Sequence, residues 1–480
     1  MEPEHCDQLP ILPIEMILEI ISNLNTIEDI TNCMLLSKEI KTSMLKSTKI
    51  MRNIRFNLKR YHESDITMKI FKEHAKFIRC MNITSFSCND NFKDALNQIP
   101  NLEDLSFESK LGIRCLPLST QPSNKKLSDY WNDYGDSSDL TKLKALKIDV
   151  RDLTHFLKLT KNVKNLEKLT IFSYDSTHED FMFDFICQQH NLKELNVINH
   201  ENIYLSFPKV DPTSKVKFRL KKFKVLTKWD RAVENEHFSK FLAFHAESLE
   251  ELEVDYSLST QSLQLIFEKS NKLQKLILSS DKNSQIYSRN HRDWTIPTVK
   301  HFEDLNSDGI DLEMVLRKFP NIERLRCDIL NNSSKRPNNI KYLEMNTMNG
   351  YCIVRQEIMR NTLSDLKNLE HLVMLKLHTE LFSRISKHFD VLEKLKTINY
   401  RVKSFNPNII ETDDNEIVPK DYKCYKIKAD FEKKTVKVST YIVHHDKELF
   451  KNIVKSFKGF DFFEFCFDVM KIKRIFTLDI

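Results

Sequence analysis

The chain has 480 residues, of which 41% are apolar and 30% charged, a composition that can build a large folded core. The net charge of +6 is small for this length, and Lys and Glu alternate instead of forming basic clusters. This pattern does not favour a nucleic-acid interface, which concentrates basic residues on one face. With five glycines, the chain has no glycine-rich phosphate loop.

Three features of the sequence bear on the cellular location of the protein. No run of about 18 apolar residues is present, so we expect no membrane-spanning segment. Glu2, Glu4 and Asp7 stand where a secretory signal has basic residues, so we expect no such signal. The ten cysteines are scattered without a Cys-x-x-Cys pair, which favours reduced thiols over disulfides or zinc. We therefore expect a cytoplasmic or nuclear protein.

The N-terminal residues predict three short helices. Pro13 suits the first turn of the first helix, because the N–H that it lacks would have no partner there. Apolar residues follow at helical spacing, namely Ile17, Ile20, Ile21 and Leu24. Thr26 is placed to cap the second helix, and Ser37 to cap the third. So small a unit leaves apolar surface uncovered.

The same segment carries an ordered set of phrases. It has Leu-Pro-x-Glu, then an apolar helix ending in Leu, then Asp with an aliphatic residue, then an apolar-Ser-Lys-x-Ile phrase. The residues are Leu12, Pro13, Glu15, Ile17, Ile20, Ile21, Leu24, Asp29, Ile30, Leu36, Ser37, Lys38 and Ile40. In this order, residues 9–52 resemble an F-box, with Ser37 and Ile40 standing where the family has Cys and Trp. The alternative is a plain helical cap for a repeat array.

A leucine phrase recurs through most of the remaining chain. It reads Asn-Leu-Glu-x-Leu, then any residue, then an apolar residue. Copies begin at Asn101, Asn165, Asn191, Ser248, Lys272, Asn321, Asn339, Asn368 and Lys394, and weaker ones at Leu143, Leu220 and Val299. The first apolar residues lie 18 to 29 residues apart from Leu143 to Leu395. About twelve such units resemble leucine-rich repeats with a long helical limb.

Each unit predicts a helix, a polar turn and a short strand. In Thr260–Leu278, a helix over Gln261–Lys269 precedes a strand with Leu276 and Leu278 on alternate positions. The same order recurs in Glu179–Val197, Leu312–Cys327 and Phe92–Phe107. A single unit cannot bury both its helix and its strand, whereas stacked units can. The alternative is an ordinary α/β domain.

The predicted fold is therefore α/β: an N-terminal three-helix F-box followed by a curved leucine-rich-repeat solenoid. The expected domains are the F-box at 9–52, a helical linker and first repeat or cap at 53–90, and the repeats at 91–400. A terminal repeat or C-terminal α/β cap occupies 401–480. Within it we expect a helix over Asp446–Phe457 and a strand over Phe460–Phe467.

Two polar insertions, Cys115–Asp139 and Ser279–Thr295, interrupt the repeats. Long loops in repeat arrays often bind partners, and Trp, Tyr and Arg anchor interfaces. The possible target-binding residues are Trp131, Tyr287, Arg289, Arg292 and Trp294. The alternative is an insertion without a partner.

No residue pattern supports an enzyme. His444 and His445 follow a strand-like run, where neighbours point to opposite faces and do not readily share a metal. The acidic residues Asp413, Asp414 and Glu416 lie in a loop-like stretch. Neither G-x-S-x-G nor H-E-x-x-H occurs. We expect no catalytic residue, no cofactor and no metal.

The F-box resemblance implies a function. It implies docking on the Skp adaptor of an SCF-type cullin–RING ubiquitin ligase, with the repeats holding an unknown target protein. The adaptor-binding residues, in the interface or supporting it, would be Leu12, Pro13, Ile17, Ile20, Leu24, Ile30, Leu36 and Ile40. Outward side chains such as Glu167, Lys193, Glu250 and Arg324 would contact the target. The rival class is a leucine-rich scaffold without a ligase link.

Overall fold

The structure is a computed structural model of the chain. It describes residues 12–24, 27–47, 50, 55–58, 75–83, 96–107, 138–149, 153, 156, 160–161, 163–173, 179–199, 216–227, 236–255, 258–278, 293–304, 310–327, 330–332, 334, 336–346, 363–378, 392–404, 423–440, 457, 460, 462–469 and 472–479. These residues belong to two compact units, Met1–Phe244 and His245–Ile480.

The first unit begins with helices and continues as a parallel sheet. Its helices include α1 (Ile14–Ile21), α2 (Ile27–Met34), α3 (Lys38–Lys46) and α4 (Glu179–Cys187), and α5 (Glu236–His245) ends at its boundary. Its strands include β1 (Arg55–Leu58), β2 (Cys80–Ile83), β3 (Asp104–Phe107), β4 (Ser138–Asp139), β5 (Ala145–Asp149), β6 (Thr160–Lys161), β7 (Lys168–Ser173), β8 (Glu194–Asn199) and β9 (Lys222–Thr227). Strands β1, β2, β3, β5, β7, β8 and β9 pair in that order, all in parallel, and β4 pairs with β6 separately.

The second unit repeats this arrangement and ends in mixed pairing. Its helices include α6 (Thr260–Lys269) and α7 (Leu312–Lys318). Its strands include β10 (Glu251–Val254), β11 (Lys275–Leu278), β12 (His301–Asp304), β13 (Ile310–Asp311), β14 (Arg324–Cys327), β15 (Leu330–Asn332), β16 (Tyr342–Asn346), β17 (His371–His378), β18 (Thr397–Ser404), β19 (Lys423–Asp430), β20 (Thr435–Thr440), β21 (Phe462–Val469) and β22 (Ile472–Asp479). Strands β10, β11, β12, β14, β16, β17 and β18 pair in parallel, and β13 pairs with β15. Strands β18, β19 and β20 are antiparallel, β20 and β21 are parallel, and β21 and β22 are antiparallel.

The leucines of the phrase form the core. Leu273, Leu276 and Leu278 are each at most 1% exposed. In the register of the sheet, Leu276 lies opposite Phe302 of the next strand, and Phe302 lies opposite Leu325. Equivalent apolar positions therefore stack from unit to unit, which is how a repeat buries surface that one unit could not cover.

The polar residues of the phrase form bonds between neighbouring repeats. The side-chain amides of Asn101, Asn321 and Asn368 donate to the backbone carbonyls of Lys76, Pro297 and Asn338, at 2.6, 2.9 and 2.8 Å. The acidic position pairs with a lysine of the adjacent unit, as in Glu370–Lys396 at 3.0 Å. Exposed pairs of this kind stabilise by about 0–1 kcal/mol each, so the buried leucines dominate the free energy.

The predicted α/β class is confirmed, with a large and mostly parallel sheet. The helix predicted over Gln261–Lys269 is α6, and the strand predicted over Phe460–Phe467 is β21, to which the final stretch adds as β22. Pro13 is the N-cap of α1 and does not lie in its first turn. The segment expected as a helical linker and first repeat or cap at 53–90 contains the parallel strands β1 and β2.

The N-cap of α3 is Ser37, as predicted, and its Oγ accepts a hydrogen bond from the N–H of Ile40 at 3.0 Å. Thr26 and most of the helix predicted over Asp446–Phe457 lie outside the described residues. No helix in the described ranges has the length and apolar character needed to cross a membrane.

Candidate functional site

Helices α1–α3 enclose a small core. Ile21, Ile30, Met34 and Met44 are 3%, 0%, 6% and 0% exposed. Ile21 is the last residue of α1, and Met34 is the last residue of α2. Met44 comes from α3, whose start is fixed by the Ser37 cap. One buried apolar residue or two from each helix is all that so short a unit can contribute.

The same helices leave large apolar side chains uncovered. The exposed fractions are 47% for Leu12, 53% for Met16, 58% for Ile20, 79% for Leu35 and 70% for Leu36. We call these five residues the N-terminal apolar surface. Within the described residues, every large apolar side chain classed as exposed belongs to this set. Exposed large apolar side chains are candidates for contact with another protein.

The residues predicted to bind an adaptor occupy different positions in this unit. Leu12, Pro13, Ile20 and Leu36 are exposed, whereas Ile17, Leu24 and Ile40 are half-buried. Ile30 is fully buried, so its place is in the supporting core.

Sequence reasoning missed Met16 and Leu35. Met16 lies four residues before Ile20 and so shares its helical face, a spacing that was available in the sequence. Leu35 lies in the turn after α2, beside Leu36. Two consecutive leucines next to a polar cap residue are the sequence signal that could have identified Leu35.

A second candidate surface lies on the sheet of the second unit, on the face opposite the leucines. His301 and Glu303 from β12 and Arg326 from β14 are joined there to Tyr342 and Glu344 from β16. His301 Nε2 donates to Glu303 Oε1 at 2.6 Å, and Arg326 reaches Glu303 Oε2 at 3.1 Å. Arg326 Nε also contacts Glu344 Oε1 at 2.8 Å, and the Tyr342 hydroxyl donates to Glu344 Oε2 at 2.8 Å. We call these five residues the polar ladder.

The polar ladder is partly buried, which strengthens its interactions. The side chains of Glu303 and Glu344 are 8% and 13% exposed. Burial alone would raise the pKa of Glu303, but the hydrogen bond from His301 and the charge of Arg326 outweigh it and hold the pKa below its ordinary value. Burial, together with the hydrogen bond to Glu344, raises the pKa of Tyr342 to about 12. The carboxyl of Glu303 is therefore ionised and the phenol of Tyr342 is neutral at physiological pH.

Aromatic and polar residues flank the ladder. The guanidinium of Arg324 lies over the Tyr342 ring at 4.1 Å, a cation–π contact. On the other side of Tyr342, the His371 ring is 6.4 Å away, and His371 Nδ1 is 2.8 Å from Thr397 Oγ1. The outward side chains of β12, β14, β16, β17 and β18 thus form one connected row.

Most of the predicted target-binding residues lie outside the residues that the structure describes. Trp131, Tyr287, Arg289 and Arg292 are not among the described residues. Trp294 is half-buried and stacks on Phe267 at 5.4 Å, with Lys318 Nζ 5.7 Å from its ring. The structure thus places Trp294 against α6, where it anchors the end of the insertion.

The remaining predicted positions have structural partners or lie elsewhere. Glu167 and Lys193 pair with each other at 2.7 Å, and Glu250 is half-buried. The hydrogen bond from Lys193 lowers the pKa of Glu167. His444, His445 and the acidic residues at 413–416 fall outside the described residues. Among those that are described, no group of three or more His, Cys, Asp or Glu side chains is arranged to hold a metal ion.

Comparison with known proteins supplies no relative, because neither a family model nor a curated protein matches this chain.

Proposed function

We propose that the chain is a non-catalytic substrate receptor of an SCF-type ubiquitin ligase. Helices α1–α3 would be an F-box that docks on a Skp-type adaptor, and the repeated units would form a leucine-rich-repeat solenoid that binds a target protein. The observation that carries this proposal is the N-terminal apolar surface. Its five residues lie within the stretch whose phrases resemble an F-box.

The exposed residues suit a helix-in-groove contact. Met16 and Ile20 are four residues apart on α1, so their side chains lie on one face of the helix. Leu35 and Leu36 add a second apolar contact from the turn after α2. Burying one such side chain against a partner stabilises a complex by about 1.5–3 kcal/mol before the costs of association. Several together can therefore support a stable interface.

The repeated units would contribute positioning. A parallel sheet with a connected polar face offers many outward side chains at fixed spacing, which suits recognition of a protein surface. Holding a target near the ubiquitin-charged enzyme converts a bimolecular encounter into a local one. The chain needs no catalytic residue for that role, and its complex would form in the cytoplasm or nucleus.

Adaptor binding by surface variants tests the proposal. Full-length wild type is expected to retain a purified Skp-type adaptor at micromolar concentration. Leu12→Ala with Pro13→Ala should weaken retention, and Ile20→Asp with Leu36→Asp should abolish it, because the new carboxylates would be buried without partners. Both aspartate substitutions fall on exposed positions, so the chain should still fold.

Lys41→Asp is the matched control, since it places the same side chain on an exposed position of α3. It should retain the adaptor like wild type if Lys41 lies outside the interface. If wild type itself captures no adaptor, the ligase proposal fails and a scaffold without a ligase link takes its place.

A further inference from the structure

Arg324 is the outward-facing residue at the start of β14. It lies between His301 of β12 and Tyr342 of β16 in the register of the sheet. Its side chain is exposed, and its guanidinium stacks on the Tyr342 ring at 4.1 Å. Among the described residues no carboxylate forms an ion pair with it. Its N–H donors therefore face solvent.

The polar ladder fixes the position of this guanidinium. Tyr342 is held by its hydroxyl bond to Glu344, and Glu344 is held by Arg326 at 2.8 Å. Arg326 is held in turn by Glu303. A stacked and pre-positioned guanidinium loses little side-chain entropy when it binds an anion, which favours affinity.

The carboxylates of the ladder are already occupied. Glu303 accepts from His301 and Arg326, and Glu344 accepts from Arg326 and Tyr342. Arg326 donates to both carboxylates, whereas the N–H donors of Arg324 remain available to a partner. Lys275 of β11 adds a second cation on the same row, and in the described part of the chain it forms no ion pair.

From this geometry we infer that Arg324 and Lys275 bind an acidic segment of the partner protein, held in extended conformation across β11, β12 and β14. Neighbouring strands are about 4.8 Å apart, so the two cationic positions are separated by about 10 Å. An extended chain advances about 3.3 Å per residue and its side chains alternate between two faces, so carboxylates two or four residues apart lie on one side, about 7 or 13 Å apart, within reach of the two long cationic side chains. Arg324 would form the forked pair that guanidinium makes with a carboxylate.

The inference deepens the proposed function, because the segment would belong to the target, but it does not depend on adaptor binding. Selection of peptides on the immobilised full-length chain tests it, using a random library of about 12 residues per peptide, long enough to cross the three strands. We expect the retained peptides to be enriched in Asp and Glu. Affinity of the most enriched peptide is then measured on variants.

Arg324→Gln should lower that affinity by about tenfold or more, since charge-assisted forked pairs are among the strong ones. Lys275→Gln should lower it by a smaller factor. The matched control is Lys272→Gln, which removes one exposed charge from the turn before β11 and should leave affinity unchanged. Each variant must unfold in urea at the same midpoint as wild type, which separates loss of folding from loss of the site and does not require adaptor binding.

Enrichment without acidic residues would overturn the inference. Unchanged affinity of Arg324→Gln would do the same, as would binding that requires a phosphorylated serine in place of the carboxylates. Affinity that falls as salt is raised agrees with the inference, because the side chain of Arg324 is solvent-exposed.

Discussion

Gln189 shows how a single buried side-chain amide joins neighbouring repeats. Its side chain is fully buried and donates to the carbonyls of Val163 and Phe185 at 3.0 and 3.1 Å. It also accepts from the N–H of Leu166 at 3.2 Å. These bonds satisfy backbone groups that water cannot reach, which makes the residue a structural link between α4 and the turn before β7.

Replacing that amide should be costly. Gln189→Ala leaves the N–H of Leu166 without its partner, so we expect the free energy of unfolding to fall by about 2 to 3 kcal/mol. Urea denaturation of the full chain measures this change. The neighbouring Gln188→Ala is the control, because Gln188 is half-buried without such a network, and it should lie within about 0.5 kcal/mol of wild type. Equal values for the two variants would contradict the assigned role.

Lys318 is a buried cation with a shifted pKa. The residue is 0% exposed, and its ammonium lies 5.6 and 5.7 Å from the rings of Phe267 and Trp294. Burial lowers the pKa from 10.5 to about 8, although Asp293 opposes the shift. Between these two values the unfolded chain binds more protons at this site than the folded chain does. Its contribution to the free energy of unfolding therefore rises with pH across that window.

A comparison with Lys318→Met isolates this effect. From pH 8 to 10.5, the unfolding free energy of wild type relative to Lys318→Met should rise by roughly 1 to 3 kcal/mol. Urea denaturation at several pH values provides the measurement. Lys269→Met, at an exposed position of α6, is the control and should show no comparable trend. A difference that is flat or falls with pH would contradict the sign derived from burial.

At the scale of elements, α3 depends on one capping hydroxyl. Ser37 Oγ accepts from the N–H of Ile40, and the Ser37 carbonyl accepts from the N–H of Lys41 at 3.0 Å. Ser37→Ala should lower the opening free energy of α3 by about 1 kcal/mol, whereas Ser37→Asp keeps an acceptor and should lower it much less. Hydrogen exchange of the α3 amides measures both. Equal exchange in the two variants would show that the cap does not stabilise the helix.

Elements with strong local patterns were predictable from the sequence. Leu276 and Leu278 alternate, and the structure places them in β11 with buried side chains. Aligning the leucine phrases puts Phe302 opposite Leu325 and therefore Glu303 opposite Arg326. The sequence does not show which outward side chains bond to one another, so the polar ladder itself was not predicted.

The surface of α1–α3 shows the same limit. Ile20 and Ile21 are consecutive on the apolar face that helical spacing predicts, yet Ile20 is 58% exposed and Ile21 is 3% exposed. Spacing identifies an apolar face, whereas the packing of α2 and α3 decides which part of that face is covered. Leu12, Ile20 and Leu36 could therefore be named from the sequence, but the sequence did not divide the candidate docking residues into contact and support.

For the whole molecule, we propose that α1–α3 bind the adaptor and that the outward face of the repeated strands binds the target. These roles use different residues, so each partner should protect its own binding residues from hydrogen exchange and leave the other residues unprotected. Hydrogen exchange of the full-length chain, with and without a purified Skp-type adaptor, resolves the two sets directly. The adaptor is predicted to slow exchange in residues 12–47 and to leave the strands of the polar ladder unchanged. Unaltered exchange throughout residues 12–47, with the adaptor in excess, would contradict the proposed function.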